Sequence, residues 1–530
     1  MNVMRVVKKR KTIALMILAI LFAFGSVLAA CSGGGSAGGE AGGEPAASNE
    51  QGSVADGGGE PTAEEVDEIE IMSDFTIAQP PSPDNPVIQE IEKRTNTKLN
   101  ITWVSAANAT DYVDRLNVVM SSGDLPELLK LNDVTNPLFQ SMVKQGVFWD
   151  LTPYLEQYPN LMTYPESVWN NTAIDGKNYV IPVARPLNGF VFANIRNDWL
   201  GKLGLEMPKT VDEFYQVLKA FKEQQPDGKP DTYGYTMRAH EVLDGVFTHS
   251  TGRWKDVGGE LIDANFDPGM RESILFKRKL YEEGLIPPDF SVMKDSQFWD
   301  LATTGRAGVT AETIEAQFRW TYDQWKSDPN VDWLPMTSLT YKSDPYVPEY
   351  RGYIGVLAIP KEVPEEKMKK ILSLLDFGAS EEGGTLSLYG IEGVHYNVVD
   401  GMKVATEQAV TDSVGVGAFG KLFMRYDPYM YAYAPGMTKE IYERNKQVID
   451  ERSKHAVPDV AIGLVSETDI KFGADYTKKM ADMKTQVIMG KATIEDWDRL
   501  VQDIQNDPNY VKITQEINDA YKARLAAQQQ

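Results

Sequence analysis

Few residues of this sequence have the types and spacing that covalent chemistry requires. His240 and Glu241 begin the segment HEVLD, but a zinc-protease helix needs a second histidine where Asp244 stands. Ser291 and Lys294 have the spacing of the serine and lysine pair of penicillin-binding enzymes, yet neither an S-D-N nor a K-T-G partner occurs. No phosphate-binding P-loop is present. The motifs therefore indicate a protein that is not an enzyme and needs no cofactor.

One cysteine, Cys31, stands between an apolar segment and a run of glycines. A positive n-region precedes the apolar run 13–24, which is the pattern of a secretory signal peptide over residues 1–30. The run is shorter than the roughly 20 apolar residues of a membrane-spanning helix. Leu28 to Cys31 (LAAC) resembles the lipobox of bacterial lipoproteins. The resemblance implies that the Cys31 sulfur is acylated and anchors the mature chain to the outer face of the cell membrane.

Residues 31–67 are rich in Gly, Ser, Ala and Glu, a composition that predicts a flexible tether. Loss of the five positive residues of the signal segment takes the net charge from −23 to −28, which argues against nucleic acid as a partner. With no cysteine after Cys31, the folded part has neither disulfides nor thiolate metal sites. Its length is too great for one ordinary domain, so two lobes are expected.

Behind the tether, helical and strand patterns alternate. Glu68 to Met72 and Leu99 to Val104 alternate apolar and polar residues as strands do, with a helical pattern between them at Val87 to Lys93. Thr210 and Glu213 have the spacing of a capping box at the start of an amphipathic helix. The pattern predicts an α/β fold.

Several segments in fixed order resemble the extracellular solute-binding protein family 1, the maltose-binding-protein-like receptors of ABC importers, in the large lipoprotein branch of Gram-positive bacteria. These segments are SGDLPELL, DLTPYLEQYPNL, DGKNYVIP, NDWLGKLGLEMPKTVDEFYQVLKAF, KLYEEGLIPPDF, GIEGVHYNVVDG and IMGKATIEDWD. They span nearly the whole mature chain.

The resemblance implies a two-lobed, periplasmic-binding-protein-like fold of type II, with discontinuous lobes that close on a ligand. Crossovers are expected near residues 183–188 and 350–355, with a third near 394–401. The first lobe is predicted to comprise residues 68–183 and 351–400, and the second lobe residues 184–350 and 401–530, including the C-terminal helices.

Candidate ligand-binding residues lie on the loops that would face the cleft between the lobes. Sugar recognition needs aromatic faces for the ring and carboxylate, amide or guanidinium groups for the hydroxyls. These requirements select Asp74, Phe75, Asn132, Asp133, Arg185, Arg238, His240, Glu241, Glu312, Tyr350, Arg351, Tyr429 and Tyr431.

Relatives in the family often carry a calcium loop between a helix and the next strand, of the form D-P-D-x-N-G-x-x-D. The corresponding segment here reads QQPDGKPDTYG, with Gln225 in place of the first acid and only Asp227 and Asp231 remaining. Because calcium takes six to eight oxygen ligands, we expect no metal site, with weak binding at these two residues as the alternative.

The resulting hypothesis is a monomeric, membrane-anchored receptor that captures an oligosaccharide outside the cell and delivers it to an ABC permease. Two alternatives stay open. A tethered glycoside hydrolase needs only two carboxylates at a fixed separation, and the chain has 76 acidic residues. A surface sensor that reports ligand without transporting it would use the same fold.

Overall fold

The chain builds two separate main sheets, and it leaves the first to build the second before it returns. The computed structural model describes residues 67–106 and 110–528; the predicted signal segment, Cys31 and the tether up to residue 66 lie outside the described residues. The strands are β1 (Asp67–Phe75), β2 (Thr97–Ser105), β3 (Leu128–Leu131), β4 (Val180–Ala184), β5 (Phe192–Arg196), β6 (Tyr233–Tyr235), β7 (Trp254–Asp256), β8 (Leu261–Asp263), β9 (Ala307–Glu312), β10 (Trp333–Pro335), β11 (Val347–Pro348), β12 (Tyr353–Ala358), β13 (Tyr396–Val399), β14 (Met402–Ala405) and β15 (Ala456–Val457).

The first sheet has the order β2-β1-β3-β12-β4, and the second has the order β10-β5-β9-β6. In the first sheet β1 runs parallel to β2 and β3, whereas β12 runs antiparallel to β3 and β4. In the second sheet β6 and β9 are parallel and β5 is antiparallel to both of its neighbours. Since β12 returns to the first sheet after β10 has completed the second, the first sheet is discontinuous in sequence.

Helices cover both sheets and form most of the chain after residue 438. They are α1 (Pro86–Thr95), α2 (Asp111–Ser122), α3 (Pro137–Lys144), α4 (Glu166–Thr172), α5 (Asn197–Leu203), α6 (Val211–Gln224), α7 (Val242–Thr248), α8 (Pro268–Glu282), α9 (Asp295–Thr303), α10 (Ile314–Ser327), α11 (Glu365–Ala379), α12 (Glu381–Tyr389), α13 (Glu407–Thr411), α14 (Lys439–Ser453), α15 (Glu467–Ile488), α16 (Ile494–Gln505) and α17 (Pro508–Gln528). Thr210 and Glu213 form the capping box at the start of α6, as their spacing predicts. The α/β prediction is confirmed.

The sheets have separate hydrophobic cores. Trp199 lies fully buried in the core around the second sheet, to which Trp497 on α16 also contributes. Another core lies on one face of the first sheet and includes Trp149. A third covers its other face, where Phe139 and Phe148 pack with ring centroids 4.9 Å apart. Each sheet is therefore stabilised by its own packing.

The chain passes between the sheets through residues 185–191 and 336–352. Residues 394–401, where a third crossover was expected, lie in and around the hairpin of β13 and β14. Phe419 and Met424 still pack in the core of the first sheet, beyond the expected boundary at residue 400. The boundaries of the lobes stay predictions. Across the described ranges, no helix is long and apolar enough to cross a membrane.

Candidate functional site

A cavity of about 460 Å³ is lined by segments from both sheets. Asp133 and Thr135 reach it from the loop that follows β3, and Phe190 and Val191 from the crossover that leads into β5. The rest of its wall comes from α7 and the loop after it, from residues 348–351 and from residues 459–464. Its position, beyond the carboxyl end of β3 and beside both segments that join the two sheets, is typical of ligand sites in α/β proteins. We call it the inter-sheet cleft.

Two aromatic rings form an apolar wall of this cleft. The rings of Phe190 and Tyr350 stack with centroids 3.8 Å apart and planes 19° apart. Tyr350 is fixed by its backbone N–H, which donates to the carbonyl of Leu187 at 2.8 Å. The carbonyl of Phe190 accepts from the buried guanidinium of Arg452 at 3.1 Å. Each ring sits on a crossover whose backbone is held in place, so the pair forms a broad, pre-formed face for a flat apolar partner.

An ion pair marks the side of the cleft nearest the first sheet. The guanidinium of Arg351 donates to a carboxylate oxygen of Asp133, and its Nε donates to the carbonyl of Tyr353 at 2.9 Å. The other carboxylate oxygen of Asp133 accepts from the backbone N–H of Thr135 at 3.1 Å. Both charged side chains are about 30% exposed, at 31% and 27%, so they keep donors and acceptors available to a ligand. The structure thus brings together Asp133, Tyr350 and Arg351 of the predicted set.

Two further carboxyl groups line the cleft. Glu349 precedes Tyr350 at the second crossover, and Asp459 stands just after β15. Burial raises the pKa of Glu349, and burial raises the pKa of Asp459 to about 6. The sequence pattern gave no signal for Asp459, because the strand before it is only two residues long.

A buried charge cluster lies at the carboxyl ends of β1 and β3. Asp74 ends β1 and lies 2.5 Å from the Nζ of Lys130 and 3.4 Å from that of Lys421. Burial alone would raise the pKa of Asp74, but the two ammonium groups outweigh it and hold the pKa below its ordinary value. Lys130 also donates to Asn132 at 3.2 Å. The neighbouring Phe75 is half-buried and accepts a backbone hydrogen bond from Ala106 at 2.8 Å.

Arg185 lies on the first crossover, as predicted, but it is only 3% exposed. Its guanidinium donates to the carbonyls of Ala184 and Gly420 at 2.9 and 3.0 Å. Burial lowers the pKa of Arg185. Like Asp74 and Lys130, Arg185 is therefore buried beside the first sheet and does not line the cleft.

Arg238 and Glu312 meet at the ends of β6 and β9. Their side chains lie 3.1 Å apart, and Arg238 also contacts Asp295 at 3.0 Å. The guanidinium lies 5.3 Å from the centre of the Trp299 ring, which stacks on the half-exposed Trp320. This pair forms a second polar and aromatic surface of the second sheet, and neither residue lines the inter-sheet cleft.

His240 and Glu241 lie apart from that surface, at the start of α7. The Nδ1 of His240 is 3.4 Å from the Nζ of Lys277, which is in turn bonded to Asp244 at 2.7 Å. Burial lowers the pKa of His240 to about 4, so the ring is neutral at physiological pH. Glu241 lines a smaller cavity of about 340 Å³, which shares Val242, Thr251, Gly252 and Pro348 with the inter-sheet cleft.

The two predicted tyrosines of the segment RYDPYMYAY, Tyr429 and Tyr431, lie in different places. Tyr431 is buried with its ring centroid 6.1 Å from that of Phe190, so it backs the aromatic wall. Tyr429 donates to Asp450 at 2.8 Å and lines a different cavity of about 180 Å³, together with Tyr389 and other tyrosines. All of these positions remain candidates for ligand contact, but of the predicted set only Asp133, Tyr350 and Arg351 line the inter-sheet cleft.

The two acids of the degenerate calcium loop are both paired with cations. Asp227 lies 3.0 Å from Arg196 and 2.8 Å from Lys202, and Asp231 lies 2.9 Å from Arg306. Burial would raise the pKa of Asp227, but these hydrogen bonds and charges lower it. In residues 67–106 and 110–528, no group of three or more His, Cys, Asp or Glu side chains is placed to hold a metal ion.

We therefore expect that neither calcium nor EDTA shifts the midpoint of thermal unfolding. Two protein cations already occupy the Asp227 carboxylate. The variant Asp227→Asn tests whether the protein cations use this carboxylate. It should destabilise the protein by about 1–2 kcal/mol, because it weakens the charge-assisted contact with the fully buried Arg196. Differential scanning calorimetry measures both effects. A midpoint that rises with added calcium in the wild type would contradict this reading of the loop.

Comparison with known proteins gives matches along most of the chain. The family of bacterial extracellular solute-binding proteins matches residues 77–385. Lipoprotein LipO of Bacillus subtilis (strain 168) is 31% identical over 456 residues, which cover 82% of this chain and 89% of LipO. The polygalacturonan/rhamnogalacturonan-binding protein YtcQ of the same organism is 29% identical, over 96% of this chain and 98% of its own length.

The fold also matches solved structures. An HMO-binding, ABC-transporter-associated solute-binding protein from Bifidobacterium longum infantis ATCC 15697 aligns with a TM-score of 0.68 at 17% identity. The alignment covers 87% of this chain and 99% of that one. At this identity the likeness concerns the fold alone, and it confirms the prediction of a two-lobed, type II solute-binding fold.

Proposed function

Because the chain belongs to the family of bacterial extracellular solute-binding proteins, we propose that it captures a carbohydrate in the inter-sheet cleft and delivers it to an ABC importer. The observation that carries the proposal is the stack of Phe190 and Tyr350 beside the polar pair of Asp133 and Arg351. A sugar ring offers an apolar face and a rim of hydroxyl groups, and this cleft holds a partner for each. YtcQ, a relative that matches over nearly its whole length, is named for binding polygalacturonan and rhamnogalacturonan, which supports a carbohydrate as the class of ligand.

The proposed mechanism is capture by closure. Each sheet has its own core, and the sheets are joined by crossovers that themselves carry Phe190, Glu349, Tyr350 and Arg351. A ligand that contacts both sides of the cleft binds the closed arrangement better than the open one, so it shifts the population toward closure. The permease then distinguishes loaded from empty protein by shape. We propose that the protein works as a monomer and performs no chemistry on the sugar.

A thermal-shift screen against an oligosaccharide library tests the proposal. The described residues from Asp67 onward belong to one compact unit, so a form that lacks residues 1–31 is suitable for the screen. A cognate sugar should raise the unfolding midpoint in a concentration-dependent manner, and calorimetry should show saturable binding. Release of reducing sugar from the same oligosaccharides would instead indicate a glycoside hydrolase. A library without a binder would contradict the proposal.

We further propose that Cys31 anchors the protein to the outer face of the cell membrane. The support is the sequence LAAC after an apolar segment, together with a relative named as a lipoprotein. Stable anchoring takes more than one acyl chain, which lipid modification of a lipobox cysteine supplies. The ligand would be handed over beside the membrane where the permease lies.

Changing Cys31 to serine should release the protein from the membrane fraction into the medium, because the hydroxyl group does not take the thioether-linked lipid. Fractionation with immunoblotting and metabolic labelling with palmitate measure the change. A Ser32→Ala variant is the matched control and should stay in the membrane fraction. Membrane retention and labelling of Cys31→Ser would show that another feature holds the protein there.

A further inference from the structure

The charge of the inter-sheet cleft is set by a short parallel pair of strands. In this pair Val347 lies opposite Ala456 and Pro348 opposite Val457. Because the strands are parallel, the residues that follow them emerge at the same edge. Glu349 directly follows β11, Asp459 follows β15 after Pro458, and both line the cleft. The fold therefore places two carboxyl groups on one side of the cavity.

Neither carboxyl group has a cation as its ion-pair partner within the part of the chain that the structure describes. For Glu349, burial raises the pKa, and Tyr426 is the titratable group that faces it. Its backbone N–H is bonded to the carbonyl of Val457 at 2.9 Å, which fixes its position. A half-buried carboxyl group without a cation is costly unless something else donates to it.

The position of the Asp459 side chain is also fixed by its neighbours. One of its oxygens accepts from the backbone N–H of Ala461 at 2.9 Å, and the nearest cation, Arg524, donates to the carbonyls of Val460 and Ile462. Tyr346 is the other titratable group that faces it. At position 252, φ is +79° and a Cβ would lie 2.2 Å from Oδ2 of Asp459, so only glycine allows the carboxylate this close to the backbone.

The nearby cations already have ion-pair or hydrogen-bond partners. Arg351, the basic residue that lines the same cavity, is paired with Asp133. Lys130 and Lys421 are paired with the buried Asp74, and Arg185 donates to backbone carbonyls. These three do not line the cavity. The groups that face a ligand are thus one balanced ion pair and two surplus carboxyl groups.

We propose that the cleft selects an oligosaccharide without acidic groups, whose hydroxyl or amino groups donate to Glu349 and Asp459, and that it rejects uronates. This inference rests on the proposed function and specifies the ligand's charge, which would distinguish this cleft from YtcQ, a relative named for binding the acidic polymer polygalacturonan. A uronate would place a further negative charge beside these two carboxyl groups. The repulsion between like charges would disfavour binding of acidic sugars. A sugar hydroxyl group would donate a hydrogen bond to each carboxylate, neither of which has a cation as its ion-pair partner among the described residues, and a hydrogen bond to a charged group is among the stronger ones.

The expected pH dependence has a definite sign. Donors from a neutral sugar favour the ionised carboxylates, so the pKa values of Glu349 and Asp459 fall when the sugar binds. The affinity is therefore full above the pKa of the free protein, which is about 6 for Asp459, and it is lost as the pH falls through that value. A uronate would show the opposite trend, since protonation of the two acids would remove the repulsion.

The test is calorimetry of the full-length protein in detergent, at pH 7.5 and pH 5, with oligosaccharides of matched length. The panel contains neutral oligosaccharides, amino-sugar oligosaccharides and oligogalacturonides. We expect a neutral or amino sugar to bind about tenfold more tightly at pH 7.5 than at pH 5, and oligogalacturonides to bind more weakly. The variant with Glu349→Gln and Asp459→Asn should lose about tenfold in affinity at pH 7.5 and most of the pH dependence.

The matched control is Glu223→Gln, an exposed acid on α6 outside the cleft, which should leave both affinity and pH dependence unchanged. Since both amides keep an oxygen that accepts, Asp459→Asn can retain the bond from Ala461, and the unfolding midpoint of the double variant shows that it is folded. Tighter binding of oligogalacturonides, or affinity that rises as the pH falls, would overturn the inference but leave the proposed function intact. If no sugar of any charge binds, the proposed function itself fails.

Discussion

Replacing Tyr350 with alanine should weaken binding of the cognate sugar by about 30-fold or more, equivalent to about 2 kcal/mol. The Tyr350 ring stacks on Phe190 and forms half of the apolar wall of the cleft. Truncation removes the face on which a sugar ring would pack and leaves the neighbouring ring unsupported. Isothermal titration calorimetry with the sugar found in the screen measures the change in Kd.

Three variants control for this effect. Tyr350→Phe keeps the ring and should retain most of the affinity, whereas Phe190→Ala should behave like Tyr350→Ala. Tyr429→Ala removes a tyrosine that lines a different cavity and should bind as the wild type does. If Tyr350→Ala kept full affinity and Tyr429→Ala lost it, the ligand site would have to be moved to the cavity that Tyr429 lines.

Local sequence rules predicted the framework that carries this site because their causes are local. The capping box of Thr210 and Glu213 forms within four residues, and the stretch Leu128 to Leu131, apolar except for Lys130, is a fully buried strand. At the Asp175-Gly176 turn both residues have positive φ, at 49° and 75°, as a two-residue hairpin turn requires. Neighbouring side chains and backbone geometry decide such features, so they can be seen in the sequence.

The arrangement of candidate ligand residues depended on distant contacts that a sequence pattern does not contain. The strand β6, which precedes Arg238, ends at Tyr235. Met237 and Ala239 then adopt positive φ values of 68° and 46°. These left-handed residues turn the chain away, so His240 joins a buried cluster while Arg238 meets Glu312.

Asp459 is a cleft residue that the sequence pattern could not identify. It lines the cleft because the two-residue strand β15 pairs with β11, more than 100 residues earlier in the chain. A strand of two residues has no periodicity to recognise, and its partner is chosen by tertiary packing. By contrast, Asp133, Tyr350 and Arg351 could be proposed from the sequence because they stand beside mostly apolar strands of four and six residues, and because the family resemblance implies a crossover near residues 350–355.

Among the proposed substitutions, Asp244→Ala should cause the largest loss of stability, because Asp244 lies at the centre of a buried charge cluster. Its Oδ1 accepts from Ser273 at 2.5 Å and from Lys277 at 2.7 Å, and its Oδ2 lies 3.5 Å from the Nζ of Lys484. Lys277 is 1% exposed and has no other carboxylate within ion-pair distance among the described residues. Asp244→Ala would leave that ammonium group buried without an anion, and we expect the free energy of unfolding to fall by about 3–5 kcal/mol.

Urea unfolding followed by tryptophan fluorescence measures this loss, and a double variant identifies its cause. If the uncompensated charge of Lys277 is responsible, adding Lys277→Met to Asp244→Ala should recover much of the stability, because the buried charge is then absent. Asp482→Ala is the matched control: Asp482 pairs with Lys478 on the exposed face of α15, so its loss should change little. A double variant as unstable as Asp244→Ala would mean that the lost hydrogen bond from Ser273, or the cavity left by the side chain, sets the cost instead.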